Sequence, residues 1–276
     1  MAQRSIMESR TAARLFFAMT RLAIGLIALN TLFGLIGGSF VPTLPPLPES
    51  VPAHELLTYV SITVSLAAGA GLLAKRTAAP AALVLLVYFL VWAALFKVPI
   101  IIHAPLEEVS YQNMGESLVL IAAAWALYRE LAQPRNFLSG DVALRVAYLL
   151  YGLALIAFGL SHFFYLQLTA PLVPRWLPAP VFWSYLTGII YIATGLAIVS
   201  GLAVRLGTTV VAVQITLITL LVWSPIVAAG HMTAFHWQET IVSWALTAAA
   251  WVLTAGLEGR PWWTAPARNK QKLSLR

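Results

Sequence analysis

The sequence of 276 residues contains no cysteine, and only 10% of its residues carry a charge. Without a thiol, the chain forms no disulfide, offers no thiolate to a metal and cannot run a dithiol redox reaction. The scarcity of charge, together with 60% hydrophobic residues, excludes the polar surface of an ordinary soluble domain. The sequence therefore predicts an integral membrane protein whose main partner is the lipid bilayer.

In place of charged residues, the sequence contains long apolar stretches. A helix needs about 20 mostly apolar residues to cross the hydrocarbon core of a bilayer. Eight stretches meet this requirement, at 22–40, 56–74, 78–102, 113–131, 146–164, 181–201, 206–229 and 237–256. The first follows four arginines, as the apolar run of a signal peptide could. It is longer than such runs usually are, so we expect a retained helix.

Internal repetition organises these stretches. The Phe-Gly-Leu of residues 33–35 returns at 158–160, and the Ala-Trp-Ala-Leu of residues 124–127 returns as Ala-Trp-Val-Leu at 250–253. Two further segments align between these anchors, 96–99 with 222–225 and 115–117 with 238–240. With four helices in each copy, both copies enter the membrane in the same sense. The expected fold is all-α, an integral membrane protein with eight transmembrane helices as two parallel four-helix repeats.

The repeat and the charges together predict domain boundaries and topology. The expected units are a first repeat with a basic N-terminus at 1–132, a linker at 133–144, a second repeat at 145–258 and a basic tail at 259–276. Fifteen of the 17 Lys and Arg residues fall in segments on one side of the predicted helices. The positive-inside rule assigns that side, with both termini, to the cytoplasm. The net charge of +7 follows from this bias and does not indicate nucleic-acid binding.

Ionisable residues gather at the opposite ends of the predicted helices, and Glu116 is the deepest of them. Counted from Arg129, it lies about 20 Å into a hydrocarbon core of about 30 Å. An acid at that depth indicates a functional site, and Lys97 on the neighbouring helix is the expected partner. The spacing from Asn113 to Glu116 also fits a capping box at a helix N-terminus, and the sequence leaves both interpretations open.

Three further residues near the same ends are candidates. Glu239 is the counterpart of Glu116 in the second copy, and His236 precedes it by three residues. His162 stands near the end of the fifth predicted helix, where the first copy has Gly37, and can serve either as a structural hydrogen-bonding residue or as a ligand-binding one. No pair of the five histidines has the spacing that places two ligands on one helical face, so no metal site is predicted.

One part of the second half resembles a known family. The elements are Phe-Gly-Leu-Ser-His-Phe at 158–163, Leu-Val-Pro-Arg-Trp-Leu-Pro-Ala-Pro at 172–180 and a helix from Tyr185 to Gly195. This pattern, over roughly residues 145–225, resembles the DoxX-like family of small four-helix membrane proteins. The resemblance implies a bacterial inner-membrane protein, multi-pass, and some members of the family are described as small subunits of a thiosulfate:quinone oxidoreductase. The family often has an acid in its second helix where this chain has Tyr191.

Two functions follow as expectations. The first is an accessory or binding subunit of a quinone-linked redox system, which holds a quinone or lipid between its helices while a redox partner subunit supplies the chemistry. No covalently bound cofactor is expected, and without a nucleophile, metal triad or cofactor motif the chain is not expected to be catalytic alone. The alternative is a small-molecule binding or transport protein with an outward-facing pocket for a small apolar ligand. The candidate binding residues are His162, Trp176, Tyr191, Glu116, Glu239, Lys97 and His236.

Overall fold

A computed structural model of the chain describes residues 52–74, 76–132, 137–230 and 233–263. Within these ranges the regular structure is helical, with no strand. The elements in chain order are α1 His54–Leu72, α2 Ala78–Trp92, π1 Ala93–Lys97, α3 Val98–His103, α4 Glu108–Leu131, α5 Asp141–Phe164, α6 Leu166–Thr169, α7 Pro180–Val199, α8 Val204–Ile218, π2 Thr219–Trp223, α9 Ser224–Ala228 and α10 Ala234–Ala255. Short 3-10 turns cover Phe137–Ser139 and Ala170–Leu172.

The predicted apolar stretches that fall in these ranges are all helical. Four segments are long and apolar enough to cross a membrane: Ala78–His103, Asp141–Phe164, Pro180–Val199 and Val204–Ala228. The all-helical fold is therefore confirmed for the described residues, and these four segments indicate a membrane protein, while the number of eight crossings stays a prediction. The predicted first helix at 22–40 lies outside the described residues.

Helix α4 occupies the centre of the bundle. It packs against α2, α5 and α10, and a ring of contacts continues from α5 to α7, from α7 to α8 and from α8 back to α10. Its alanine run, Ala122, Ala123 and Ala124, is buried. Because protein covers so much of α4, this helix tolerates polar residues that a lipid-facing helix would not.

Helices α4 and α5 run antiparallel. At one end of the α4 and α5 pair, Arg129 on α4 donates a hydrogen bond to Asp141 on α5 at 2.9 Å. At the other end, Ser161 on α5 donates to Glu108 on α4 at 2.7 Å. The bundle thus has a basic end, which carries Arg129, Arg145, Arg205 and Arg260, and an opposite end, which carries His103, Glu107, Glu108, His162 and His236.

Helices α5 and α7 approach each other at four glycines. Gly152 and Gly159 on α5 face Gly195 and Gly188 on α7. A Cβ atom added at any of the four would lie 2.7 to 2.9 Å from the carbonyl oxygen of the facing glycine. In lipid, helices gain little from burying apolar area against each other, so close backbone approach at small residues supplies the attraction. Gly188 and Gly195 are seven residues apart, which places them on one face of α7.

Two long segments share an unusual build. In each, a 15-residue α-helix continues through a five-residue π-helix into a short α-helix, as α2, π1 and α3 and again as α8, π2 and α9. Pro99 and Pro225 each stand two residues beyond the π-helix. Proline lacks the backbone N–H and its ring crowds the carbonyl of the preceding turn, so a wider π turn relieves the contact. Both π-helices end in segments that the sequence alignment pairs.

The loop between α5 and α7 is rich in proline. It contains α6 and a 3-10 turn, and the Tyr165 hydroxyl at its start accepts a hydrogen bond from the Val109 N–H at 3.2 Å. The loop therefore ties α5 to the first turn of α4. The matching loop at 41–53 lies almost wholly outside the described residues.

The glycine contact predicts a stability effect for Gly159→Ala. The new Cβ would meet Ile192 Cγ1 at 2.5 Å and the Gly188 oxygen at 2.7 Å, so α5 and α7 must separate. We expect a loss of about 1 to 3 kcal/mol, typical of overpacking, measured as the free energy of unfolding in detergent micelles. Leu160→Ala, an exposed neighbour on the same helix, is the control and should change stability by less than about 0.5 kcal/mol. Equal stability of Gly159→Ala and wild type would contradict the close contact.

Candidate functional site

Lys97 is buried inside the bundle. It is the last residue of π1, its side chain is 2% exposed, and its ammonium nitrogen has no hydrogen-bond partner. A buried ammonium without compensation costs several kcal/mol. Whether the bundle can hold this buried ammonium therefore depends on the charges of the residues that face it.

Glu116 supplies the facing negative charge. It lies on α4 and interacts electrostatically with both Lys97 and Glu239 of α10. Both glutamates are half-buried. Among the described residues the ion pair within 4 Å is Arg129 with Asp141, so Lys97 and the two carboxyls are close without direct contact. Three ionisable groups from three helices thus converge in the bundle, and we call Lys97, Glu116 and Glu239 the internal site.

The capping-box interpretation of Glu116 is wrong. Helix α4 begins at Glu108, with Glu107 as the residue before its first turn, rather than near Asn113. Glu116 lies about 12 Å along the helix from Glu108, where backbone N–H groups already have intrahelical partners. Its carboxyl group is therefore free for Lys97 and Glu239, as the intramembrane interpretation predicted.

The internal site is asymmetric. Trp223 ends π2 as Lys97 ends π1, and it is also buried. An indole carries no charge, so the second π-helix brings no cation toward Glu239. One ammonium therefore faces two carboxyl groups.

A second polar group lies between α5 and α7. The His162 ring stands within 3.3 Å of the Ser184 hydroxyl and 6.0 Å, centroid to centroid, from the Tyr191 ring. Ser184 also shares a 2.6 Å hydrogen bond with Thr169. The Phe158 ring lies 6.0 Å, centroid to centroid, from the Tyr191 ring and also packs against α4 at Gly115. The structure thus brings His162 and Tyr191 together.

The remaining predicted residues are Trp176, in the loop before α7, and His236, at the start of α10. Trp176 is 69% exposed in the loop before α7. His236 stands in the first turn of α10. Its ring accepts a hydrogen bond from the Thr233 backbone N–H at 3.4 Å, and its backbone N–H donates one to the Thr233 hydroxyl at 3.2 Å. His103 bonds the Pro99 carbonyl at 2.8 Å. His231 lies outside the described residues.

Sequence reasoning missed two buried groups. Glu108 is buried and bonds Ser161, with its second carboxyl oxygen unpartnered. Tyr151 on α5 is 1% exposed, and its hydroxyl has no hydrogen-bond partner. The sequence contains one signal for the burial of Lys97. A proline two residues later indicates a disturbed helix rather than a helix end.

Comparisons with protein-family models, with curated proteins and with solved structures gave no match to this chain. In the described part of the chain, no group of three or more His, Asp or Glu side chains is arranged to hold a metal ion. The chemistry of the internal site therefore rests on its own one ammonium and two carboxyl groups.

Removal of the Lys97 charge should destabilise the protein. Lys97→Met leaves Glu116 and Glu239 facing each other without a cation, and breaking one side of a buried charge pair costs about 3 to 5 kcal/mol. The measurement is thermal unfolding of the purified protein in detergent. The double variant Lys97→Met/Glu116→Gln removes both opposite charges and should recover most of the loss.

The matched control is Arg76→Met, which removes an exposed cation from the turn before α2 and should leave the unfolding midpoint unchanged. If Lys97→Met unfolds at the same temperature as Arg76→Met, the ammonium is not held in the interior.

Proposed function

We propose that this chain is a membrane transport protein that binds a small anionic ligand together with a proton at the internal site. The observation that supports this function best is the convergence of a buried ammonium with two carboxyl groups from α4 and α10. Ionisable groups inside a membrane bundle are expensive, and they usually mark ion or proton pathways. A purely structural bundle gains nothing from three of them.

The charges of the internal site favour one bound proton. A water-poor interior favours zero net charge, because an uncompensated ion is strongly disfavoured there. With one ammonium and two carboxyl groups, neutrality requires that the two carboxyls share one proton. The Lys97 nitrogen has three donors and no hydrogen-bond partner. An anionic ligand on that ammonium restores neutrality only if the second carboxyl takes up a proton as well, so the ligand and a proton bind together.

The infrared spectrum tests the shared proton. At neutral pH, wild-type protein should show the C=O stretch of a protonated carboxylic acid, and Glu116→Gln/Glu239→Gln should lose it. The matched control is Glu107→Gln, an exposed acid one residue before α4, which should keep the band. Transport is tested on proteoliposomes loaded with a pH-sensitive dye, with lactate added outside under an imposed pH gradient. We expect proton entry with wild type and none above empty liposomes with the double variant.

If Glu116→Gln/Glu239→Gln matches wild type in both the infrared spectrum and the proton flux, the proposal is contradicted. A proton band with no lactate-dependent flux would reject lactate-coupled transport and retain proton binding at the internal site.

A second function is favoured by a different observation, the unpartnered polar atoms inside the segment that resembles DoxX-like proteins. Tyr151 presents a buried hydroxyl without a partner, and Gln214, whose amide N–H donates to the Thr187 carbonyl, presents a buried carbonyl oxygen without one. Such a donor and acceptor suit the head of a quinone or hydroquinone. We propose on this basis an accessory subunit that holds a quinone for a redox partner.

Organic extraction of the purified protein tests this second function. If it holds, a quinone should be found by chromatography in near-equal molar amount, and Tyr151→Phe should lower that amount while leaving the unfolding midpoint close to wild type. Extracts that contain lipid and no quinone, from protein purified under mild detergent, would reject it.

The proposed location is the bacterial inner membrane, with the basic end and both termini in the cytoplasm. The distribution of Lys and Arg supports it. Because the chain has no cysteine, single cysteines introduced at Arg76 and at Glu107 can be labelled on intact cells with an impermeant maleimide. Only the cysteine at position 107 should react, and the reverse pattern would invert the orientation.

A further inference from the structure

A cavity of about 480 Å³ lies at the basic end of the bundle, far from the internal site. Three helices and one following segment enclose it, because its lining comes from the start of α5, the end of α7, the start of α8 and the segment after α10. Three arginines, Arg145, Arg205 and Arg260, contribute to the lining. None of the functions proposed above uses this cavity.

The three arginines give the cavity a net positive charge. Within the described ranges none of them forms an ion pair. The acid in the lining is Asp141, which is held at 2.9 Å by Arg129. Glu130 and Glu258 belong to the same end but do not line the cavity. An anion that enters therefore meets guanidinium groups that no acid side chain occupies.

One of the three guanidinium groups is fixed in place. The Arg205 guanidinium donates to the Arg260 carbonyl oxygen at 2.6 Å and stacks over the Trp262 ring at 4.2 Å. A guanidinium that is held by its neighbours loses less conformational freedom when it binds an anion. Arg145 and Arg260 are exposed and adjust around it. One fixed and two adjustable guanidinium groups can together donate hydrogen bonds to the several oxygens of a phosphate group.

The apolar part of the lining points to a lipid as the carrier of that phosphate. Leu149 and Val199 line the cavity and are also exposed on the outside of the bundle. The cavity thus opens toward the region where acyl chains lie. Trp262 and Trp263 are exposed beside it, as aromatic residues often are at the level of the headgroups. A water-soluble phosphate would gain no binding energy from the apolar opening.

We propose that this cavity binds the phosphate headgroup of an anionic phospholipid, with Arg145, Arg205 and Arg260 on the phosphate and Leu149 and Val199 against an acyl chain. Basic pockets between helix ends are a known physical solution for anionic headgroups. The shared chemistry of the ligand is a phosphate oxyanion, which a free phosphate ester also offers.

Native mass spectrometry of the full-length protein in neutral detergent tests the proposal, with dioleoyl phosphatidylglycerol and dioleoyl phosphatidylcholine as competing lipids. Wild type should retain phosphatidylglycerol in clear preference to phosphatidylcholine. Arg145→Gln/Arg260→Gln removes the two exposed guanidinium groups, leaves Arg205 in place, and should abolish the preference. Arg76→Gln, an exposed cation at the same end that does not line the cavity, is the control and should keep it.

Glycerol phosphate in a parallel arm distinguishes the source of the phosphate. If it displaces phosphatidylglycerol at equal concentration, the site binds a soluble phosphate and the lipid assignment is overturned. If Arg76→Gln lowers retention as much as the double variant, the preference reflects the general charge of the basic end and the cavity site is rejected. Wild type that retains both lipids equally rejects it as well.

Discussion

The ammonium of Lys97, held within an apolar bundle, is the interaction on which the central arrangement depends. An isolated charge there would cost several kcal/mol, so α2 is tied to a helix that brings a carboxyl group to the same depth. Helix α4 does so with Glu116, and it reaches α10 and Glu239 on its other side. The central position of α4 and its polar residues are thus two consequences of one electrostatic requirement.

A different constraint holds the second half together. Between α5 and α7 the backbones nearly touch at four glycines, and the energy comes from packing rather than from charge. This close contact brings His162 beside Tyr191 and Ser184, and it leaves no room for a side chain at the four glycines themselves. Charge thus governs one part of the bundle and packing the other.

The sequence was sufficient for the helices in the described part of the chain and for the partner of Glu116, because apolar runs and the aligned segments are local signals. Helix α4 begins five residues before the predicted start at 113, since protein covers it and polar residues at 108–112 are tolerated. The burial of Lys97 depends on a π turn before Pro99. The contact of His162 with Tyr191 depends on the close approach of α5 and α7 at their glycines. Both follow from contacts between distant segments, which periodicity does not record.

Helix α10 takes part in both the internal site and the surroundings of the arginine cavity. Eighteen residues separate Glu239 from Leu257 of the cavity lining, which corresponds to about 27 Å along a helix. Screening at the exposed basic end acts over about 8 Å at physiological salt, so a phosphate bound there changes the electrostatics of Glu239 little. Any influence of one region on the other therefore has to travel as a displacement of α10 against α4 and α8, and the internal site and the cavity are otherwise independent.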